Sequence, residues 1–384
     1  MTAPRPDEPT ARGRSWVDVD LDAIAHNVDA LRTVAEGAEL CAVVKANGYG
    51  HGAFEVADTA LRAGASWLAV AQVAEGVALR EAGFGERILV LSEPAPHEFT
   101  VAATAALDVT VYSPAGVMAA GQASGEANGL TVHLKVDTGM HRVGAAPGQA
   151  VAVARQVQET GRLALASVWT HLACADDIAH PANKAQLTAY EQVLADLDAA
   201  GIEVPYRHAA NSAGAIAHPT SRYDLIRCGL AMYGMDPSPA TAELIDLRPA
   251  LAWRTTVGLV KRLTAGSAVS YGHRRTVERD TTVATIPVGY ADGLRRSWWR
   301  HGAVLIGGRR RPILGVVTMD QTVVDCGDDG VAPDDEVVVI GTQGDEEITA
   351  DEMATALATI NYEVTTCIGP RVERRHHRSG EAVS

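Results

Sequence analysis

The sequence predicts an α/β protein of two domains, an N-terminal (β/α)8 TIM-like barrel followed by a C-terminal mostly antiparallel β domain. Eight short apolar runs alternate with longer segments of helical periodicity in the first part of the chain. After about Pro249 the apolar runs become separated by Gly, Asp and Arg turns, a pattern typical of hairpins. The predicted boundaries are a flexible tail at 1–14, the barrel at 15–247, the β domain at 248–373 and a second flexible tail at 374–384.

The barrel strands are predicted from runs rich in β-branched and aliphatic residues. They are CAVV (41–44), WLAV (67–70), RILVL (87–91), DVTVY (108–112), TVHLKVD (131–137), LALASVWT (163–170), YRHAA (206–210) and DLIRCG (224–229). The segments between them carry apolar residues at helical spacing, as in Leu21, Ile24, Val28 and Leu31. Each strand is therefore expected to return through a right-handed helical crossover. In the β domain, one late helix is predicted near 350–359.

Composition restricts the classes of function. The 33 Lys and Arg against 47 Asp and Glu give a net charge of −14, which disfavours nucleic-acid and membrane-surface partners. The five cysteines form no CxxC pair, so we expect neither a disulfide framework nor a metal site. No run approaches the roughly 18 apolar residues of a membrane span, and the first residues lack the apolar stretch of a signal peptide. The sequence predicts a cytoplasmic protein.

Lys45 is the first candidate for chemistry. It ends the first barrel strand and runs into ANGYGHG, which places a lysine at the C-terminal mouth of the barrel, where active sites of such folds lie. A lysine desolvated there can lose its proton and form a Schiff base. Local chemistry alone leaves open an exposed lysine before an ordinary turn.

The segment AVVKANGYGHG resembles the pyridoxal phosphate (PLP) lysine motif of alanine racemases. Further segments resemble that family in the same order: LKVDTGMHRVG (134–144), THLACAD (170–176), HAANSAG (208–214), VSYG (269–272) with IPVGYADG (286–293), and TMDQ (318–321) with INYEV (360–364). The resemblance runs from Trp16 to about Val372. It implies the barrel and β domain derived above, PLP as the cofactor, and a homodimer with shared active sites.

The resemblance also implies roles for individual residues. Lys45 would hold PLP covalently, and Tyr49 would bind its phosphate. The remaining cofactor-binding residues would be His171, Asn211, Ser212, Arg227, Tyr362 and the backbone amides of Gly229 and Leu230. Arg227 would face the pyridine nitrogen, and because a guanidinium keeps its proton, the ring nitrogen would stay largely unprotonated.

Racemisation needs a base on each face of the substrate Cα. The resemblance assigns Lys45 to the face of the D-isomer and Tyr271, from the partner chain, to the face of the L-isomer. Arg142 would contact the substrate carboxylate. Lys135 corresponds to a lysine that is often carbamylated in the family, and the resulting anion would orient Arg142.

The partner chain would contribute further residues to the pocket. Met319 and Asp320 would line the substrate site, and Asp176, Tyr290 and Arg296 would lie along the access passage. Two positions depart from the family pattern. Val316 stands where an arginine is common, and the terminal RVPR pattern is replaced by Arg371, Val372, Glu373 and Arg374.

The sequence therefore predicts a PLP-dependent alanine racemase that interconverts L- and D-alanine and supplies D-alanine for peptidoglycan. A broader racemase acting on serine or larger amino acids is the nearest alternative. A decarboxylase or aldolase on the same barrel is disfavoured by Arg227, since such decarboxylases place a carboxylate there. A non-catalytic PLP carrier or regulator would resemble the barrel alone, so the second domain with Tyr271 and Met319 argues against it.

Overall fold

The structure is a computed structural model that describes residues 13–125 and 129–383. Its described residues form two units, one made of Leu21–Pro249 and the other of the segments before and after it. Most of the predicted tail at 1–14 lies outside the described residues. No helix in the described ranges is long and apolar enough to cross a membrane.

The chain begins with strand β1 (Ser15–Asp20), which belongs to the second unit. The first unit is a barrel of parallel strands. They are β2 (Glu39–Val43), β3 (Trp67–Val70), β4 (Arg87–Val90), β5 (Asp108–Val111), β6 (Leu130–Lys135), β7 (Leu163–Trp169), β8 (Tyr206–His208) and β9 (Leu225–Cys228). Within the described residues the order is β8-β7-β6-β5-β4-β3-β2-β9. Two backbone hydrogen bonds join β8 to β9, from Asp224 to Arg207 at 3.0 Å and from Arg227 to Ala210 at 3.1 Å, and these close the ring.

Helices precede, connect and follow the barrel strands. They are α1 (Leu21–Ala35), the short turn α2 (Lys45–Tyr49), α3 (Ala53–Arg62), α4 (Val73–Glu81), α5 (Glu98–Thr104), α6 (Pro114–Ala123), α7 (Ala150–Glu159), α8 (Pro181–Ala199), α9 (Ser212–Ala217) and α10 (Pro239–Ala242). The predicted apolar stripe of α1 is confirmed, since Leu21, Ile24, Val28 and Leu31 are all buried. All eight predicted barrel strands are present near their expected positions.

The second unit contains the remaining strands and two helices. They are β10 (Leu251–Thr256), β11 (Leu259–Leu263), β12 (Ala268–Val269), β13 (Arg275–Thr276), β14 (Thr281–Ile286), β15 (Ala303–Ile306), β16 (Arg309–Pro312), β17 (Thr322–Gly327), β18 (Glu336–Gln343), β19 (Glu346–Ile348), α11 (Ala350–Leu357), α12 (Asn361–Thr366), β20 (Glu373–Arg378) and β21 (Glu381–Ala382). The main sheet has the order β16-β15-β18-β10-β1-β20-β21, with β19 on β18. Only β1 and β20 pair in parallel among the described strands of this unit. The remaining strands form the sheet β11-β14-β17 and the ribbon β12-β13.

The structure differs from the predicted boundaries at β1. The sequence places Ser15–Asp20 in the barrel domain, whereas β1 pairs with β10 and β20 of the second unit. The reason is visible in its burial, which alternates residue by residue as expected for a sheet with one buried face. Barrel strands such as β3 are buried at every position.

The predicted tail at 374–384 also differs, because most of its described residues belong to β20 and β21. Its basic side chains find partners on the neighbouring strand. The His377 ring lies 3.0 Å from an Asp18 carboxylate oxygen, and the Arg375 guanidinium lies 4.4 Å from the centre of the Trp16 ring. This basic segment, which the sequence predicts to be a flexible tail, forms a strand because β1 offers backbone groups for pairing and the Asp18 carboxylate as a partner.

Candidate active site

The turn after β2 has an unusual backbone. Ala46, Asn47 and Gly48 have φ angles of 52°, 53° and 60°, so this turn is left-handed. Such a conformation costs roughly 1–2 kcal/mol per residue for an L-amino acid with a side chain. The sequence predicts a glycine-rich turn here, but it does not predict that three non-glycine residues, Ala46, Asn47 and Tyr49, have positive φ angles.

Glu75 holds this turn in place. One carboxylate oxygen accepts the backbone N–H of Ala46 at 2.7 Å, and the other accepts those of Ala71 and Gln72 at 2.9 and 3.1 Å. The start of α4 is thereby joined to the turn that carries Lys45. Because backbone strain persists only where surrounding contacts over-determine it, Glu75 fixes the position from which Lys45 leaves the strand.

Lys45 is half-buried at the mouth of the barrel. Burial and the nearby charge of Arg142 lower its pKa, and the opposing charge of Glu75 does not restore it. A lowered pKa increases the share of neutral amine near neutral pH, which is the form that acts as a nucleophile or a base.

Lys135 ends β6 and is almost fully buried. Burial together with the charges of Arg142 and Arg227 lowers its pKa to about 8. Its Nζ lies 4.5 Å from the centre of the Trp169 ring, and the Arg227 guanidinium lies 4.7 Å from the same ring. Trp169 therefore contacts two cations, which the negative face of an indole attracts.

Four cations meet around His171. Burial lowers the pKa of His171 well below its ordinary value, and the charges of Arg227, Lys135, Arg142 and Lys45 lower it further. His171 is therefore neutral near neutral pH. In a chain whose net charge is −14, this local concentration of positive charge favours an anionic ligand.

Arg227 is buried on β9 and is held by neutral groups. Its NH1 donates to His208 Nδ1 at 2.8 Å, and its NH2 donates to the carbonyl of Thr170 at 2.8 Å and to that of Ala209 at 3.1 Å. NH2 also lies 3.3 Å from His171 Nδ1. Burial lowers the pKa of Arg227 to about 10, which leaves the guanidinium charged near neutral pH.

Ser212, Gly229 and Tyr49 form a second group at the mouth. The Ser212 hydroxyl accepts the backbone N–H groups of Gly229 and Ala231 at 3.1 and 3.4 Å. A Cβ built on Gly229 would lie 2.3 Å from the Tyr49 hydroxyl oxygen, so only glycine fits there. Leu230 follows in the same turn and is buried.

Asn211 precedes this group and caps α9. Its side-chain oxygen accepts the Gly214 N–H at 2.9 Å, and its amide nitrogen lies 3.5 Å from His171 Nε2. The structure thus brings the predicted cofactor residues of the barrel together at one end. Arg142 is exposed on the loop after β6, and Asp176 is exposed on the loop after β7.

The other predicted site residues lie in the second unit. Tyr271 has 75% of its surface exposed and follows Ser270, whose φ is 62°. It lines an open groove of about 540 Å³ together with Thr318 and Gln321. The groove also carries the cationic side chains of Arg14 and Lys261.

The loop of Tyr290 and the loop of Met319 are joined through their backbones. Tyr290 N donates to Thr318 O at 2.9 Å, and Ala291 N donates to Met319 O at 3.0 Å. Tyr290 and Met319 are both exposed, as is Asp320.

Arg371 adds an ionic link between these two loops. It pairs with Asp320 at 2.9 Å and with the buried Asp292 at 3.0 Å. Arg296 is exposed in a short 3-10 helix, and Tyr362 is half-buried on α12.

Comparison with known proteins decides the family. Residues 19–237 match the family described as alanine racemase, N-terminal domain, and residues 250–376 match alanine racemase, C-terminal domain.

The chain belongs to the alanine racemase family.

Relatives in this family match nearly the whole chain. The alanine racemase of Symbiobacterium thermophilum is 47% identical over 366 residues, covering 94% of this chain and 96% of the relative. That of Thermobifida fusca is 43% identical over 363 residues, covering 93% and 96%. The crystal structure of alanine racemase from Bacillus anthracis with bound L-Ala-P superposes with a TM-score of 0.93 at 35% identity and 98% coverage of both chains. The enzyme from Streptomyces coelicolor A3(2) superposes with a TM-score of 0.89 at 39% identity, covering 94% of this chain and 98% of that one.

Membership confirms the family and fold predicted from the sequence and makes the chain an amino-acid racemase, which is an isomerase. The two departures from the alanine racemase pattern have local explanations. Val316 is 2% exposed, so the apolar side chain suits its buried position. Glu373, which stands in place of the proline, begins β20, where it is opposite Trp16 of β1 and forms an ion pair with Arg375 at 2.8 Å.

The sequence reasoning missed the polar side chains beneath Arg227. His133 and His208 are fully buried in the barrel. They lie in the segments TVHLKVD (131–137) and HAANSAG (208–214), in which the sequence points to other residues as candidates. Their signal is a histidine within an otherwise apolar, fully buried strand, which requires a hydrogen-bond partner.

Proposed function

We propose that this chain is a PLP-dependent alanine racemase that interconverts L- and D-alanine by a two-base mechanism. Family membership supports the reaction. The observation that carries the site assignment is the half-buried Lys45, with its lowered pKa, at the end of β2 within reach of the charges of Arg142 and Glu75. D-alanine for peptidoglycan is the role that this reaction implies.

The residues at the barrel mouth fit PLP. The four cations around His171 suit a ligand that carries a phosphate and a phenolic oxygen. The backbone N–H groups of Gly229 and Ala231 and the hydroxyls of Ser212 and Tyr49 lie on one side of the mouth, and groups of this kind can bind a phosphate. Lys45, Tyr49, His171, Asn211, Ser212, Arg227, Gly229, Leu230 and Tyr362 would hold the cofactor.

PLP supplies, when bound, an electron sink that makes the Cα–H of the attached amino acid easier to remove. Arg227 limits that effect, since its guanidinium keeps its own protons and leaves the ring nitrogen unprotonated. Lys45 Nζ moves a proton on one face of Cα. Its lowered pKa favours this role because more of the amine is unprotonated near neutral pH.

Tyr271 moves the proton on the opposite face and comes from a second copy of the chain in a homodimer. Its high exposure supports this assignment, since a tyrosine that acts in the active site of a partner subunit must be accessible on the surface of its own subunit. Arg142 binds the substrate carboxylate, with Lys135 as a carbamate beside it. Met319 and Asp320 line the substrate pocket, and Asp176, Tyr290 and Arg296 lie along the access passage.

The test combines a chemical label with a chiral assay. Borohydride reduction of the holoenzyme and peptide mapping should place the pyridoxyl group on Lys45, and the enzyme should convert L-alanine to the racemate. Lys45→Ala should lose both properties. Lys184→Ala, which changes an exposed lysine on α8, should keep both.

Two results would contradict the proposal. A pyridoxyl group on any other lysine would remove the site assignment. Faster inversion of serine than of alanine, in a panel of L-amino acids, would make the chain a racemase of the broader kind.

A further inference from the structure

A continuous chain of polar side chains crosses the interior of the barrel below Arg227. Arg227 NH1 lies 2.8 Å from His208 Nδ1, and His208 Nε2 lies 2.8 Å from the Ser167 hydroxyl oxygen. That oxygen lies 2.6 Å from His133 Nδ1, and His133 Nε2 lies 3.2 Å from Asp108 Oδ2. We call these five residues the interior relay. The three middle members are fully buried.

The chemistry of the two ends fixes the direction of every hydrogen bond in the interior relay. A guanidinium only donates, so His208 accepts at Nδ1 and carries its proton on Nε2. That proton is donated to Ser167, whose hydroxyl then donates to His133 Nδ1. His133 in turn carries its proton on Nε2 and donates it to the Asp108 carboxylate. The donor at Arg227 and the acceptor at Asp108 therefore require the same arrangement of protons along the interior relay.

The titration of the histidines is consistent with this arrangement. Burial and the charge of Arg227 lower the pKa of His208 well below its ordinary value, and burial lowers that of His133 although Asp108 opposes it. Both rings are therefore neutral near neutral pH, with one proton each. Burial alone would raise the pKa of Asp108, but His133 and Arg87 outweigh it and keep the group a carboxylate.

The interior relay joins opposite ends of the barrel. Asp108 and Arg87 begin β5 and β4, at the N-terminal end of the strands, whereas Lys45 follows the C-terminal end of β2. Arg87 pairs with Asp108 at 2.8 Å and has 37% of its side chain exposed. Among the described residues Arg227 has no carboxylate within ion-pair distance, so the relay connects it to the negative charge of Asp108.

We propose that Asp108 is a positioning residue that acts through the interior relay and holds Arg227 in the orientation in which its remaining N–H groups meet the cofactor. The second half of this statement rests on the proposed function. If His133 loses its acceptor, its ring can carry the proton on Nδ1, Ser167 reverses, and His208 then carries its proton on Nδ1. That proton faces the N–H of Arg227, and two donors repel each other. The loss of a remote carboxylate thus displaces the guanidinium.

The first experiment needs no cofactor. ¹⁵N NMR of the imidazole rings in the apoprotein should find the Nε2–H form at both His133 and His208. Asp108→Leu should make His208 a mixture of tautomers, although His208 lies three hydrogen bonds away. Asp108→Asn keeps an acceptor oxygen and should retain the single tautomer. Thr110→Val is the control for the loss of a polar group from β5. The buried Thr110 hydroxyl donates to the carbonyl of Val90 and does not belong to the interior relay.

The second experiment uses the PLP-loaded protein. Asp108→Leu should shift the visible absorption band of the bound cofactor and lower kcat by about tenfold with little change in KM, a loss typical when an outer partner of a bound group is removed. Asp108→Asn should restore most of the loss. If Asp108→Leu does not fold, Ser167→Ala, which interrupts the interior relay with the loss of one atom, should give the same result.

Several outcomes would overturn the proposal. They are the Nδ1–H form or a charged ring at His208 in the native chain, an unchanged His208 tautomer in both Asp108→Leu and Ser167→Ala, or an equal effect of Thr110→Val. Because the NMR result is obtained without PLP, it stands even if Lys45 does not carry the cofactor. Failure of the proposed function and failure of the interior relay are therefore distinguishable.

Discussion

Lys135 shows how neighbouring charges set the chemistry of a single side chain. Burial, Arg142 and Arg227 lower its pKa to about 8, while Asp137 opposes them. At pH 7 about a tenth of such an amine is neutral, against far less than a hundredth for a free lysine. A neutral amine adds CO₂ at carbon, forms an N–C bond and releases one proton. The product is an anion that relieves the repulsion with Arg142.

We therefore expect a carbamate on Lys135 that accumulates as the pH rises toward 8. Protein equilibrated with ¹³C-bicarbonate should show a carbamate carbon by NMR, which Lys135→Ala lacks and Lys184→Ala retains. Lys135→Ala should lose activity and regain part of it when acetate is added, since a free carboxylate can take the place of the carbamate beside Arg142. Full activity of Lys135→Ala without an added anion would show that Arg142 needs no such partner.

The position of a candidate residue was predictable where a motif places one reactive group at a strand end, and Lys45 does follow β2 at the mouth of the barrel. It was not predictable for the interior relay. Asp108, His133 and Ser167 lie on three different strands and become neighbours only through the register of the barrel. The pairing of β6 with β7 also shifts register between Val132 and His133, and this shift places His133 opposite Ser167. Periodicity shows that a strand is buried. It does not show which polar atoms meet inside.

At the scale of elements, a hydrogen bond from Ser270 to Val316 helps to hold the loop that carries Tyr271 between β12 and β13. Ser270 has φ 62° and ψ −176°, a conformation that is uncommon for a residue with a side chain, and its hydroxyl donates to Val316 O at 2.9 Å. A Cβ on Gly315 would lie 2.7 Å from Ser270 Cβ, so the two backbones are in close contact. The hydrogen bond connects Val316, which stands where an arginine is common in the family, to Ser270, the residue before the proposed base Tyr271.

Ser270→Ala removes the hydroxyl but not the backbone strain, so we expect the loop to relax. The free energy of unfolding should fall by about 1 kcal/mol. Exchange of the Cα proton of L-alanine should slow more than that of D-alanine in single-turnover deuterium measurements, because Tyr271 serves the L-isomer. Ser267→Ala, which removes a hydroxyl beyond the same short ribbon, is the matched control. Equal exchange losses for the two variants, or for the two isomers, would show that the contact does not position Tyr271.

Element boundaries were predictable in the barrel and less so in the β domain. Most barrel strands contain runs of apolar residues, as in the fully buried β3, and are bounded by helical segments, so their ends are clear in the sequence. Half of the residues of β1 and all of those of β20 are polar, and the two strands lie at opposite ends of the chain but pair with each other. A non-local pair of this kind leaves no signal within either segment.

At the scale of the whole molecule, charge is distributed unevenly. The chain carries a net charge of −14, yet Lys45, Lys135, Arg142 and Arg227 meet at one end of the barrel. A small carboxylate is attracted to this end and a polyanion is repelled by the remaining surface. The proposed base Tyr271 belongs to the other unit of the fold, where it is exposed.

The proposed division of the active site between two chains can be tested by complementation. Lys45→Ala and Tyr271→Ala proteins should each be inactive as homodimers. When they are dissociated, mixed in equal amounts and reassembled, half of the dimers should be mixed, and each mixed dimer has one site with both mutations and one with neither. Random pairing should therefore restore roughly a quarter of the native activity. Each variant reassembled alone provides the control for residual activity. If both bases come from the same chain, every site in every dimer lacks one base, so a mixture that stays inactive would exclude the shared site.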